Sequence, residues 1–142
     1  DPFTAIAQVQ NGSKTLTTAE GVANGYGFGI ASQQALDDPA KNTALQDFVI
    51  RLAKASAWAD ANPAEWAAAY SAAVGIDPAA GELAQGRSQR PAIALDESVI
   101  ESEQALFDAF VESGSIPGGN TFADFVDTRY NDAIANANAS TN

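Results

Sequence analysis

The chain has 142 residues, the length of one ordinary domain, and an apolar share of 46% that indicates a globular protein. Seven basic residues against 18 acidic ones give a net charge of −11, which argues against nucleic acid or anionic lipid as a partner. Cysteine and histidine are absent, so triad, thiol and cysteine–metal chemistry are excluded within these residues.

The first 32 residues predict a short helix and two strands. Asp1 followed by proline is a helix-start signal, and Gly12 is a helix-stop signal. Residues 13–18 predict a short strand. Residues 25–32 alternate glycine with large apolar side chains, which is the period of two expected of a strand with one bare face.

Two helices joined by one tight turn are predicted over residues 38–76. Asp38 before proline marks the start of the first helix, and Asn62 before proline ends it and caps the second. Gly75 offers a left-handed stop. Apolar residues recur at helical spacing along the first helix, and we expect them to face the core: Leu45, Phe48, Leu52, Ala55 and Ala59.

The last third predicts a short helix, a strand and two longer helices. A helix starts at Asp77 and ends near Gly86, and residues 92–95 predict a strand. Asp96 caps the next helix, which Gly114 stops.

The aromatic residues of the segment 122–130 predict a last helix, and the polar residues 136–142 predict a frayed tail. Four large side chains are expected to be buried in the core of the chain: Phe48, Leu52, Phe107 and Phe110.

Motifs in the helical hairpin resemble a known family. They are Ala-x-x-Trp-x-x-x-Asn-Pro at 55–63, Glu-x-x-Ala at 65–68 and Gly-Ile-Asp-Pro at 75–78. A second matching stretch at 98–130 reads SVIESEQALFDAFVESGSIP, then F-x-D-F-V-D-T-R-Y. Together they are similar to the C-terminal part of solute-binding proteins of ABC importers for aliphatic sulfonates, taurine and nitrate.

The resemblance implies an α/β fold, namely the C-terminal portion of a two-lobe periplasmic-binding-protein type II fold, α-rich with short strands. Residues 1–24 would end the second lobe, 25–32 would be the crossover strand or hinge, and 33–135 would be the C-terminal helical part of the first lobe. Members of this family are about twice as long. We therefore expect a processed product or a fragment whose first part is missing.

The resemblance also implies an extracytoplasmic solute-binding component, periplasmic or extracellular and either free or lipid-anchored. Its ligand would be a small organic anion, held in a closing cleft, and its protein partners would be the permease subunits. No catalysis, cofactor or metal is expected. Two alternatives stay open: a helical protein-interaction module that binds through its aromatic seam, and an enzyme of the same fold with catalytic residues in the missing part.

The expected site residues are Asp1, Phe3 and Tyr26. The opening Asp-Pro-Phe resembles the Trp-Asp-Pro-aromatic motif at the cleft edge of the family, although the tryptophan is lacking. Asp1 would suit an ammonium group on the ligand, and the two rings would cover its organic part; the alternative for Asp1 is a helix cap alone. Arg87 and Arg90 are able to grip a sulfonate, yet solvated loop arginines are commoner.

Overall fold

A computed structural model describes residues 1–140, and in that range the chain is all-α, with no strand. The elements are α1 (Phe3–Asn11), α2 (Gln33–Asp37), α3 (Pro39–Ala61), α4 (Pro63–Val74), α5 (Pro78–Gln85), α6 (Glu97–Glu112), a 3₁₀ helix (Phe122–Phe125) and α7 (Asn131–Ala139). The predicted α/β fold, a portion of a two-lobe binding protein with short strands, is therefore wrong.

All three predicted strands are irregular segments instead. A strand is stable only where a neighbour pairs its backbone and one face is buried. No strand partner exists in residues 1–140, and in the first two segments the large side chains are not buried: Leu16 is 98% exposed and Ile30 is 97% exposed. The crossover strand at 25–32 is thus corrected to a loop, while the lobe boundaries drawn around it stay predictions.

The segment 92–95 has its backbone groups paired by a helix rather than by a strand. The Asn131 side chain accepts a hydrogen bond from the Leu95 N–H at 3.0 Å and donates one to the Leu95 carbonyl at 3.2 Å. Asn138, two turns further along α7, donates to the Ala92 carbonyl at 2.8 Å. These asparagine side chains satisfy backbone groups that a strand partner would otherwise have paired.

Most of the predicted helix starts are confirmed. The carboxylate of Asp38 accepts from two N–H groups of the first turn of α3, at 3.0 and 3.1 Å. The Asp77 carboxylate accepts from the Ala79 N–H of α5 at 2.8 Å, and the Asp96 carboxylate accepts from the Val99 N–H of α6 at 3.1 Å. Asn62 is the exception: its side chain donates backward to the Trp58 carbonyl at 2.8 Å, so it closes α3 and does not cap α4.

The end of the chain differs from the prediction in two places. Residues 122–130 form only the short 3₁₀ helix, which Thr121 and Asp124 cap reciprocally. The next helix, α7, extends into the tail expected to fray, as far as Ala139, with Ala137 buried. Residues 141 and 142, also part of that predicted tail, lie outside the described residues.

The buried core consists almost entirely of small side chains. Its apolar members are Ala5, Ala53, Ala59, Ala67, Ala80, Ala84, Val99 and Ala137. Alanines let helix axes approach closely, but they leave little room for large side chains between them. Large side chains consequently lie at the edges of the helix contacts, where solvent reaches them. None of them in residues 1–140 is fully buried.

The predicted burial of large core residues is therefore mostly wrong. Phe48, Leu52 and Phe110 remain 60%, 51% and 47% exposed. Phe107 is half-buried, with its ring centroid 6.4 Å from that of Phe125. No helix in residues 1–140 has the combined length and hydrophobicity of a bilayer span.

The closest helix crossing lies between α4 and α5. Gly81 of α5 faces α4 so closely that a Cβ there would collide with Ser71 Oγ and lie 3.1 Å from the Ala67 carbonyl oxygen. The buried Ser71 hydroxyl has no hydrogen-bond partner in the described structure. Glycine at position 81 is thus required by the packing.

We predict strong coupling between substitutions at this crossing. Gly81→Ala should lower the free energy of unfolding by about 1–3 kcal/mol through overpacking. Ser71→Ala should be neutral or stabilising by about 1 kcal/mol, because it removes a buried unsatisfied hydroxyl. In the double variant the collision with Oγ disappears, so most of the Gly81→Ala loss should be recovered. Urea denaturation followed by circular dichroism gives the free energy of unfolding of the wild type, both single variants and the double variant. If the double variant's change equals the sum of the two single changes, this packing is contradicted.

The stability of α6 should depend on pH through its cap. Hydrogen bonds from the Ser98 hydroxyl and the Val99 N–H lower the pKa of Asp96. Such a carboxylate stabilises the fold above its unfolded pKa of about 3.9 and loses that effect as the pH falls through its lower folded pKa. Asp96→Asn should be less stable than the wild type at neutral pH, and the gap should close below about pH 4. The free energies of unfolding of both proteins are measured in urea at a series of pH values. A difference between them that stays constant down to acid pH would refute this role.

Candidate functional site

An open groove of about 320 Å³ lies among the C-terminal half of α3, the helices α4 and α5, and the segment after α5. This volume falls within the range of small-ligand pockets. The lining side chains are Leu52, Ala55, Ser56, Ala59 and Asp60 from α3, Trp66 and Tyr70 from α4, Ala84 and Gln85 from α5, and Asp1, Ser88 and Arg90 from outside these helices.

Trp66 and Tyr70 supply the aromatic part of the lining. They are four residues apart on α4 and therefore share one helix face. Their rings stack, with centroids 6.0 Å apart and planes inclined by 24°. The buried alanines Ala59 and Ala84 bring α3 and α5 close to this pair. The groove thus combines an aromatic surface with small apolar side chains.

The Asp1 carboxylate is held within the protein. One oxygen accepts a hydrogen bond from the Ala5 N–H at 3.0 Å, and the other lies 3.2 Å from Arg87 Nε. Arg87 also donates to the Gln8 side chain at 2.9 Å. The negative charge of Asp1 is therefore balanced beside the groove, and its bond from the Ala5 N–H lies in the first turn of α1, although the N-cap position itself is Pro2.

Asp60 and Arg90 are the charged groove residues that remain available. Neither has an ion pair or a side-chain hydrogen bond among residues 1–140. A guanidinium without an acidic partner is free to receive an anion through its planar set of donors. The groove consequently offers one free cation and one free carboxylate beside the two rings.

The three predicted site residues do not meet at this groove. Asp1 lines it, but Phe3 is 83% exposed and belongs to neither of the two cavities described. Tyr26 packs edge-on against Phe28 at 6.4 Å, and Phe28 packs against Phe122 at 5.7 Å. A ligand role for Phe3 and Tyr26 stays a prediction, at a surface separate from the groove lining.

The sequence alone indicates only some of the residues that line the groove. Trp66 and Tyr70 are four residues apart, a spacing that places them on one face of a helix, and their rings stack in the structure. The sequence marks Arg90 as a possible anion ligand, although a solvated loop arginine is the commoner case. No sequence pattern marks Asp60 as a groove residue, because its place in the groove depends on how α3, α4 and α5 are arranged in the fold.

Among the described residues, the carboxylates with a lowered pKa lie outside the groove lining. They are Asp96, Asp124 and Asp127. Hydrogen bonds from neighbouring side chains or backbone N–H groups cause each shift, as expected of caps and turns. Within the described residues, no cluster of three or more acidic side chains could hold a metal ion.

Comparison with known proteins adds no relative: no family model, no curated protein and no solved structure matches the chain. The likeness to importer solute-binding proteins therefore rests on the motifs at 55–78 and 98–130.

The ion pair between Asp1 and Arg87 should make a modest, salt-sensitive contribution to stability. Its side chains are 11% and 34% exposed, and it joins α1 to the end of α5. We expect Arg87→Gln to cost about 0.5–1 kcal/mol at low salt and less at high salt. The matched control is Arg51→Gln, whose pair with Asp47 is more exposed and lies within one helix. Equal losses from the two variants in urea denaturation would contradict this ranking.

Proposed function

We propose that this chain binds a small organic anion in the groove among α3, α4 and α5, as the solute-binding component of an importer. The observation that carries the proposal is Arg90, a groove guanidinium with no acidic partner in the described part of the chain. Sulfonates and carboxylates present oxygens that match its planar donors.

The rings of Trp66 and Tyr70 would contact the organic part of such a ligand. Burying apolar surface against aromatic rings is favourable because it removes that surface from water. A ligand with an apolar part should therefore bind better than a bare anion such as nitrate. The groove volume of about 320 Å³ is ample for a short alkanesulfonate.

The net charge of −11 does not oppose anion binding at this position. Exposed charges farther than about 8 Å are largely screened at physiological salt. Of the two acids at the groove, Asp1 is neutralised by Arg87. Asp60 remains and would favour a ligand that also carries an ammonium group, as taurine does.

The role in uptake rests on the resemblance. Its motifs at 55–63 and 65–68 belong to the same two helices that form much of the groove. Closure of two α/β lobes forms no part of the proposal, because the described chain has no crossover strand.

Calorimetry with taurine, a short alkanesulfonate and nitrate tests the proposal. We expect the alkanesulfonate to bind, and both Arg90→Gln and Trp66→Ala to weaken that binding at least about tenfold, equivalent to 1.4 kcal/mol. Asp60→Asn should weaken taurine more than the alkanesulfonate. Arg51→Gln is the matched control, since this arginine lies outside the groove lining and is paired with Asp47.

Two results would overturn the groove as the binding site. One is the absence of binding for all three ligands. The other is binding that Tyr26→Ala weakens and Trp66→Ala does not, which would favour the predicted site near Tyr26. A loss of affinity in Arg51→Gln as large as in Arg90→Gln would indicate a general charge effect in place of a site.

A further inference from the structure

The groove lining contains one polar residue that is almost completely buried. Gln85, the last residue of α5, is 8% exposed and lines the groove. Its backbone carbonyl accepts a hydrogen bond from the Ser88 N–H at 3.1 Å. Its side-chain carboxamide, in contrast, forms no hydrogen bond with any of residues 1–140. The Nε2 donor and the Oε1 acceptor of Gln85 are therefore not used by the described fold.

The burial of Gln85 follows from the close packing of α5 against α4. Gln85 lies four residues after Gly81, so both residues lie on one face of α5. Gly81 faces α4 so closely that a Cβ there would collide with the Ser71 hydroxyl. Burying a carboxamide without a hydrogen-bond partner destabilises a fold. A ligand in the groove that supplied the partner would remove this cost, and it would gain affinity in return.

The two polar atoms of Gln85 restrict the kind of group that could serve them. A carboxamide donates through its NH2 group and accepts through its carbonyl oxygen. A sulfonate or carboxylate only accepts, so it would leave Oε1 without a partner. An ammonium only donates, so it would leave Nε2 without one. A hydroxyl both donates and accepts, and it therefore suits either atom.

We propose that the groove selects organic anions whose carbon chain carries a hydroxyl, and that Gln85 binds this hydroxyl. The inference rests on the proposed function, in which Arg90 binds the anionic group of the ligand and the rings of Trp66 and Tyr70 contact its carbon chain. Gln85 and Arg90 are five residues apart, at the end of α5 and in the segment after it, and both line the groove. The hydroxyl is thus a third point of recognition beside the anion and the carbon chain.

The other polar residues of the groove lining are less selective for a hydroxyl. Ser56, Asp60 and Ser88 are half-buried. Arg90 is exposed. Water reaches these four residues and satisfies them when a ligand lacks a matching group. Water reaches Gln85 far less, so a ligand without a hydroxyl would leave its carboxamide unpaired. A buried polar group discriminates strongly against an analogue that lacks its partner.

Calorimetry with two sulfonates of equal chain length, hydroxyethanesulfonate and ethanesulfonate, tests the inference. We expect the wild type to bind hydroxyethanesulfonate at least about tenfold more tightly than ethanesulfonate. Gln85→Met keeps the length of the side chain and removes both hydrogen-bonding atoms. This variant should bind hydroxyethanesulfonate at least about tenfold more weakly than the wild type does, and it should bind ethanesulfonate no more weakly.

The matched control is Gln46→Met on α3. Gln46 is exposed and lies outside the groove lining, so this variant should bind both sulfonates like the wild type. Circular dichroism checks that both variants are folded. The comparison of the two ligands on the wild type needs no variant, so it tests the selectivity even if Gln85→Met does not fold.

Three results would overturn the inference. If the wild type binds the two sulfonates equally, the groove does not select a hydroxyl, while the proposed function stands. If Gln85→Met keeps the preference for hydroxyethanesulfonate, another residue binds the hydroxyl, and the proposed function again stands. If the wild type binds neither sulfonate, the proposed function fails and this inference fails with it.

Discussion

The structure depends on small residues at the places where its helices touch. Gly81 lets α5 approach α4 to a separation at which a Cβ would collide with the Ser71 hydroxyl, and alanines occupy the neighbouring buried positions. This packing holds α5 against α4, and the groove lies between these two helices and the C-terminal half of α3. The same packing leaves the large apolar side chains at the rim, because little space remains between the helices. The close packing of helices through small residues therefore explains both the alanine-rich core and the large apolar side chains around the groove.

Local signals in the sequence were enough for most helix boundaries, since a cap or a stop depends on a few adjacent residues. Asp38, Asp77 and Asp96 cap as predicted, and Gly12 and Gly75 adopt positive φ values of 64° and 73°. The predictions were wrong where the structure of a segment depends on residues far away in the sequence. Alternating glycines at 25–32 give the period of a strand, but a strand also needs an adjacent strand, which only the whole fold supplies.

Burial was the least predictable property for a similar reason. A helical period shows which residues share a face, but it does not show whether another element covers that face. Leu52 and Ala59 share one face of α3, yet only Ala59 is buried. For the site, the aromatic pair could be predicted from its spacing. The presence of Asp60 and Arg90 in one groove could not be predicted, because a helix end and a loop some 30 residues away are brought together only by the whole fold.

The asparagine contacts of α7 have a consequence for how the molecule opens. Among the described elements, α6 makes substantial contact only with the 3₁₀ helix. Its remaining connections include hydrogen bonds from Asn24 to Ser102 and Glu103 and the grip of Asn131 and Asn138 on the preceding segment. Such a region, joined by polar contacts and few buried apolar ones, forms its own cooperative unit. Its amide protons would exchange through a partial opening in which the α3–α5 body stays intact.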